Sequence, residues 1–147
     1  MLAVTLLITV INSTWYFLVI ARVSFIQWIV LNACAPSSLT YLLGLLLYVR
    51  YKNKCYVAIA IVPLLFFGTM GLFVFPWQIG NDVLIQFSHI IMTLNIFWAL
   101  WIILKDKDYK ALAIGLLISI FVFIPFIAFT QYYCRIYADD VMKLLGL

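Results

Sequence analysis

Five apolar segments, separated by short connections that carry most of the charges, dominate the sequence. A transmembrane helix needs about 20 predominantly apolar residues. With 68% hydrophobic and 10% charged residues, this chain of 147 residues has too much apolar surface to bury in a water-soluble fold. The sequence therefore predicts an all-α polytopic membrane bundle, a single domain over 1–147. Its five transmembrane helices are predicted at about 2–21, 37–51, 56–75, 82–104 and 111–131, with an interfacial tail at 132–147.

The second apolar segment contains a break, "NACAPSS", at 32–38. Proline disfavours helix at the residue before it, and serine is a preferred N-cap. We therefore predict an irregular or interfacial segment at 23–35 and a short helix that begins after a cap at Ser37 or Ser38. One continuous span, kinked at Pro36, is the alternative. Because non-helical backbone at membrane depth must be satisfied by protein or water, the break is a candidate cavity lining.

The basic residues predict the orientation of the bundle. Six of the nine lie in two connections that are separated by two crossings and therefore share one side. Lysine and arginine concentrate in cytoplasmic loops, which places the N-terminus in the cytoplasm and the C-terminus outside. The six residues are Arg50, Lys52, Lys54, Lys105, Lys107 and Lys110.

Polar residues recur at helical spacing in the fourth and first apolar segments. Asp82, Gln86, His89 and Thr93 are spaced four, three and four, which puts them on one helix face. The first segment repeats this spacing with Thr5, Thr9, Asn12 and Tyr16, and Arg22 follows it. Polar groups in lipid are costly unless they are satisfied, so these rows should face inward. We predict a ligand-binding pocket in the outer half of the bundle, formed by Asn12, Tyr16, Arg22, Asp82, Gln86, His89 and Thr93.

Structural interpretations of the same residues remain open. The rows would equally serve as hydrogen bonds that join helices. Asp82 suits an N-cap of the fourth helix, Arg22 an interface anchor, and His89 a hydrogen-bonded structural histidine. Small residues form a further row that permits close helix packing in the fifth helix, and Gly68 and Gly71 suggest the same for the third. The row in the fifth helix is Ala111, Gly115 and Ser119.

The sequence lacks the residue patterns that several classes of enzyme and binding protein require. There is no Gly-rich phosphate loop and no GxSxG, and the adjacent carboxylates are confined to Asp139 and Asp140. The basic residues sit in connections rather than in a patch, which argues against nucleic acid. The three cysteines form no CxxC pair and are interpreted as free thiols. His89, Met92 and Cys34 have the chemistry of a copper(I) site, but without a metal-ligand motif we predict no metal.

Three segments, "WIVLNACAPSSLTYLL", "FFGTMG" and "SHIIMTLN", resemble those of a family of small polytopic membrane proteins. Like this chain, that family has a Pro- and Ser-containing break before a short second helix and a single histidine-containing helix later. The resemblance implies importance for Trp28, Pro36, Gly68 and His89. It implies no activity.

The leading functional hypothesis is a small integral membrane protein that binds or transports a small solute or ion in the predicted pocket. One alternative is a non-catalytic subunit or assembly factor of a larger membrane complex, or a homo-oligomer. A second is a membrane enzyme that acts on a lipid, a quinone or a thiol, with Cys34 at the outer surface. The sequence identifies no cofactor, and the expected surroundings are the lipid bilayer.

Overall fold

The computed structural model describes the backbone of residues 1–74 and 81–137 and the side chains of residues 1–73 and 83–137. Helices make up most of this part of the chain, which contains no strands, as predicted for an all-α fold. Its helices are α1 (Leu2–Ile20), α2 (Phe25–Leu31), α3 (Cys34–Tyr51), α4 (Cys55–Phe73), α5 (Asn81–Lys105) and α6 (Tyr109–Ile136).

Two of these helices contain π-helical turns. In α1 the α-helix Leu2–Trp15 continues as the π-helical turn Tyr16–Ile20. In α4, short α-helical pieces on either side flank a π-helical stretch, Leu64–Thr69, which follows directly after Pro63. A proline removes one hydrogen bond from the helical ladder, and the wider turn that follows accommodates that loss.

Four helices are long and apolar enough to cross a membrane: α1, α4, α6 and the stretch Val83–Lys105 of α5. The pair α2 and α3 meets the same criterion together, but the two helices are bent by 82° at the break between them. The described part of the chain thus has four such helices, or five candidate spans if the bent pair is counted as one.

The predicted break before the second span is present, but its boundaries differ from the prediction. Residues 25–31 are helical, because Ser24 and Gln27 form a capping box at the start of α2. Helix α3 begins at Cys34, so a cap at Ser37 or Ser38 is wrong. Proline needs no N–H partner in the first turn of a helix, and therefore Pro36 does not delay the start of α3. The bend of 82° separates α2 from α3 before Cys34 and not at Pro36, so the pair is a broken span or a re-entrant loop and not one continuous helix.

Helix α6 is longer than predicted at both ends. Asp108 caps its start by accepting a hydrogen bond from the Ala111 backbone N–H at 3.2 Å. The helix then runs to Ile136, so the predicted interfacial tail is helical in its first five residues. The part of that tail at 138–147 lies outside the described residues.

Helix α4 lies at the centre, where it packs against α3, α5 and α6. Close approach depends on small residues, as predicted for the row in α6, since Ala111, Gly115 and Ser119 are all buried. A Cβ atom at Gly115 would lie 2.4 Å from the Ala58 Cβ of α4, and one at Gly44 would lie 2.4 Å from the Tyr56 carbonyl oxygen. These glycines therefore set the distances of α6 and α3 from α4.

The two basic connections lie next to each other at one end of the bundle. The Lys54 ammonium, just before α4, pairs with the Asp106 carboxylate, just after α5, at 2.5 Å. The prediction that both connections share a side therefore agrees with the packing. The turn at Arg22 and the α2–α3 break belong to the opposite end.

Candidate functional site

A cavity of about 210 Å³ lies between α1, the α2–α3 break and α5. Its lining comes from the second half of α1, the start of α3 and the first half of α5, so it occupies the end of the bundle opposite the basic connections. The lining residues are Thr9, Val10, Ser13, Phe17, Leu31, Asn32, Cys34, Ala35, Ser38, Ile85, Ser88, His89 and Met92.

A thiol and an imidazole meet at this cavity. The Cys34 Sγ in the first turn of α3 lies 3.5 Å from the His89 Nε2 of α5 and donates a hydrogen bond to the Phe67 carbonyl oxygen at 3.2 Å. His89 is 3% exposed. Its ring lies against Gly71 of α4, where a Cβ atom would be 2.5 Å from Nε2. Helices α3 and α4 together therefore fix the position of the ring.

The break is tied to α1 through a side-chain hydrogen bond. The Asn32 amide donates to the Ser13 hydroxyl at 3.2 Å, and that hydroxyl donates to the Val10 carbonyl oxygen of its own helix. Thr9 likewise donates to the Leu6 carbonyl oxygen, and Ser88 to that of Leu84. These hydroxyl protons are used locally, so the oxygens offer mainly acceptor capacity to the cavity.

The predicted row on α5 divides between the cavity and the helix interface. His89 lines the cavity, whereas Gln86 is buried at 1% exposure and is not among the lining residues. Thr93 lies at the interface with α4, where its hydroxyl donates to the His89 carbonyl oxygen. The Thr69 hydroxyl lies 3.0 Å from that of Thr93 and is therefore the donor in that pair. Thr93 thus joins two helices, the structural alternative that the row left open.

The structure does not bring the predicted residues of α1 into the cavity. Asn12 and Tyr16 are exposed on the outer surface of the helix. The face of α1 that lines the cavity runs through Ser13 and Phe17, each one residue later and so about 100° around the helix. Of the predicted row on α1, Thr9 therefore lines the cavity, whereas Asn12 and Tyr16 do not.

The remaining two predicted site residues lie near the ends of helices. Arg22 is exposed in the turn after α1, with a backbone φ of 51°. The side chain of Asp82 lies outside the described side chains, so its place in the pocket and its capping of α5 stay predictions.

Sequence reasoning left Ser13, Asn32 and Ser38 out of the site. Ser38 is 1% exposed and lies one turn after Cys34 on α3. The signal that points to it is the break itself, which the sequence marks as a candidate cavity lining. Ser13 gave no such signal, because it falls one residue after Asn12 and so lies outside the spaced row of α1.

The donor atoms at the cavity are soft or neutral. No group of three or more His, Cys, Asp or Glu side chains that could hold a metal occurs within residues 1–73 and 83–137. One thiol, one imidazole and one thioether, those of Cys34, His89 and Met92, nevertheless line the same cavity. Comparison of the chain with protein-family models, with characterised proteins and with solved structures gave no match.

Proposed function

We propose that this chain is a multi-pass integral membrane protein that binds or transports a small solute or ion through the cavity beside His89. The observation that carries this proposal is that His89 of α5, Cys34 of α3 and Asn32 of the α2–α3 break meet around one cavity. A histidine held against a cavity is suited to contact a ligand or to carry a proton.

The proposed orientation places the cavity in the outer half of the membrane. The basic connections at the Lys54–Asp106 end face the cytoplasm by the distribution of lysine and arginine. The N-terminus is then cytoplasmic and the C-terminus outside. Since the cavity lies at the opposite end of the bundle, its ligand arrives from the outer aqueous phase or from the outer leaflet.

The size of the cavity limits the ligand. An apolar cavity of about 150 Å³ accommodates benzene, so about 210 Å³ holds a small molecule or an ion with a few accompanying atoms. Apolar side chains such as Val10, Phe17 and Leu31 form much of the lining. These features favour a compact ligand that has one or two polar contacts, and they disfavour a multiply charged metabolite.

Access to the cavity is tested by the modification rate of Cys34. A small neutral methanethiosulfonate is applied to the protein in liposomes, in a background that carries Cys55→Ser and Cys134→Ser. We expect Ser88→Phe, which places a ring in the cavity, to slow modification on the order of tenfold, equivalent to about 1.4 kcal/mol.

The matched control is Leu84→Phe, one turn earlier on the exposed face of α5, which should leave the rate unchanged. Equal rates in the two variants would count against a ligand-accessible cavity. A high-resolution map of the protein in lipid completes the test: density that touches His89 identifies the ligand class, and a dry cavity argues against binding.

A specific observation also favours the alternative of a subunit in a larger complex. Asn12 exposes an amide on α1, a helix of which only 11% is buried, and α6 is equally exposed. An amide that faces hydrocarbon needs hydrogen bonds, which a partner helix can supply.

We expect Asn12→Leu to release a partner or a second copy that the wild type retains in native mass spectrometry. The control variant Ile8→Leu should retain it. A wild type that is monomeric and without partners would contradict this alternative.

A further inference from the structure

We propose that Cys34, His89 and Met92 form a binding site for a soft monovalent metal ion, Cu(I) or its analogue Ag(I). This inference rests on the proposed function, because it names the class of ion that the cavity takes.

The spacing of the thiol and the imidazole fits one metal ion between them. Tetrahedral zinc, whose bond lengths serve here as a guide for Cu(I), forms bonds of about 2.3 Å to Cys sulfur and about 2.0–2.1 Å to His nitrogen. Two such bonds at a tetrahedral angle place sulfur and nitrogen about 3.5 to 3.6 Å apart. The Cys34 Sγ and the His89 Nε2 are 3.5 Å apart. An ion can therefore bridge them without movement of either backbone.

Met92 supplies the third donor. It follows His89 by three residues on α5, so the two side chains share a helix face. Met92 is 2% exposed and lines the same cavity. Gly68 of α4 leaves room for it, since a Cβ atom there would lie 3.3 Å from the Met92 Sδ. A flexible thioether in this position can turn towards an ion at the Cys34–His89 pair.

Charge selects the oxidation state of the ion. Binding breaks the S–H bond of Cys34, forms a metal–sulfur bond and releases the proton to the bulk solvent, because the thiolate is the ligand. One thiolate with a neutral imidazole and a neutral thioether gives an uncharged complex with a monovalent ion. A divalent ion would leave one positive charge uncompensated, because the described lining residues of the cavity include no carboxylate and an isolated buried charge is costly.

Ligand softness points the same way. Thiolate and thioether ligands select Cu(I) over magnesium, calcium and manganese, which prefer oxygen. The chain contains no glutamate, and the two aspartates whose side chains the structure describes, Asp106 and Asp108, lie at the opposite end of the bundle from His89.

The test titrates the purified full-length chain, under reducing conditions, with Cu(I) and separately with Ag(I). Bound metal is counted by equilibrium dialysis, and the thiolate-to-metal charge-transfer band is followed in the ultraviolet. We expect one equivalent with a thiolate band. Cys34→Ser should abolish both signals, and His89→Gln should weaken binding on the order of 100-fold, because loss of an outer-shell partner alone costs 10–100-fold. Met92→Leu should weaken it on the order of tenfold.

Matched variants control for adventitious binding to other sulfur atoms. Cys55→Ser, Cys134→Ser and Met70→Leu should keep the full equivalent and its affinity. Cys34→Ala is made beside Cys34→Ser, and the thermal midpoint of each variant shows that loss of metal is not loss of fold. A thiolate band that persists in Cys34→Ser, or an affinity that His89→Gln leaves unchanged, would overturn the proposal.

The metal-binding test and the test of the proposed function can fail independently of each other. If the wild type binds no Cu(I) or Ag(I) while Ser88→Phe still slows the modification of Cys34, the cavity admits solutes but the metal proposal is wrong. If the metal binds with the expected dependence on Cys34 and His89, and Ser88→Phe changes neither binding nor modification, the metal site stands and the cavity is not its route.

Discussion

At the scale of single residues, the position of the His89 ring depends on the absence of a side chain at Gly71. A Cβ atom there would lie 2.5 Å from both the Nε2 and the Cδ2 of the ring. We expect Gly71→Ala to displace the ring from Cys34 and to lower the free energy of unfolding by about 1–3 kcal/mol, the usual range for overpacking. His89 is the only histidine, so its ring resonances report the displacement directly.

The control for this prediction is Gly68→Ala, three residues earlier on α4. Its new methyl group would lie 2.9 Å from the Cβ and the Cε of Met92 and meets no atom of the His89 ring. It should therefore also cost stability, but it should leave the histidine resonances in place. Unchanged resonances in Gly71→Ala would show that the ring is not held by this contact.

The Lys54–Asp106 pair gives the protein a pH-dependent contribution to stability. The hydrogen bond from Lys54 holds the pKa of the Asp106 carboxyl below its ordinary value. Its stabilisation is therefore fully present above the unfolded-state pKa of about 4 and is lost as the pH falls through the lower folded-state pKa.

We expect the thermal midpoint of the wild type to fall more steeply than that of Asp106→Asn as the pH is lowered from about 5 to about 2. The Asp106 side chain is 59% exposed, so the difference should be small and should shrink with added salt. Identical pH profiles of the two proteins would contradict this contribution.

Polarity at helical spacing predicted one lining residue of the cavity on each of two helices. His89 of α5 and Thr9 of α1 both belong to the predicted rows, and both line the cavity. Thr9 and Ser13 bond to their own helix, and they line the cavity beside apolar neighbours. The row on α1 met the cavity at Thr9 but not at Asn12 or Tyr16, because nothing in the spacing of α1 distinguishes Ser13 from Asn12.

At the scale of helices, the capping box at Ser24 determines whether the segment before the break is helical. The Ser24 side chain accepts from the Gln27 backbone N–H, and the Gln27 side chain accepts from the Ser24 backbone N–H. We expect Ser24→Ala to destabilise α2 by about 1 kcal/mol, which hydrogen exchange of the α2 amides measures. Ser24→Asp should retain protection, because aspartate caps as well as serine does. Equal exchange in the two variants would mean that packing of Trp28 alone holds α2.

Most helices that the length of the apolar segments predicts agree with the structure to within a few residues. The exceptions are the segment before the α2–α3 break and the end of α6. The capping box Ser24–Gln27 is readable in the sequence, yet the proline-containing break next to it drew the prediction towards irregular structure. Pro36 lies in the first turn of α3, where proline is tolerated. The proline therefore indicates that a helix begins nearby, but it does not identify the first residue of that helix. The sequence predicts an end of α6 that is five residues too early, because Tyr132 and Tyr133 are typical of an interfacial tail.

At the scale of the whole molecule, the packing implies that the bent pair α2 and α3 crosses the bundle. The cavity joins the second half of α1 to the start of α3, whereas the Lys54–Asp106 pair joins the end of α3 to the end of α5. Helix α3 therefore runs from one end of the bundle to the other. A re-entrant loop would instead return α3 to the end from which it came.

This path predicts which turns share a side of the membrane. In a background that carries Cys34→Ser, Cys55→Ser and Cys134→Ser, a charged, membrane-impermeant maleimide should label Lys52→Cys and Lys107→Cys from the cytoplasmic face only. It should label Arg22→Cys from the outer face only. All three positions are exposed turn residues with positive φ, so the substitutions are closely matched. Labelling of Arg22→Cys and Lys52→Cys from the same face would mean that α2 and α3 form a re-entrant loop, and labelling of Lys52→Cys and Lys107→Cys from opposite faces would contradict the shared basic end.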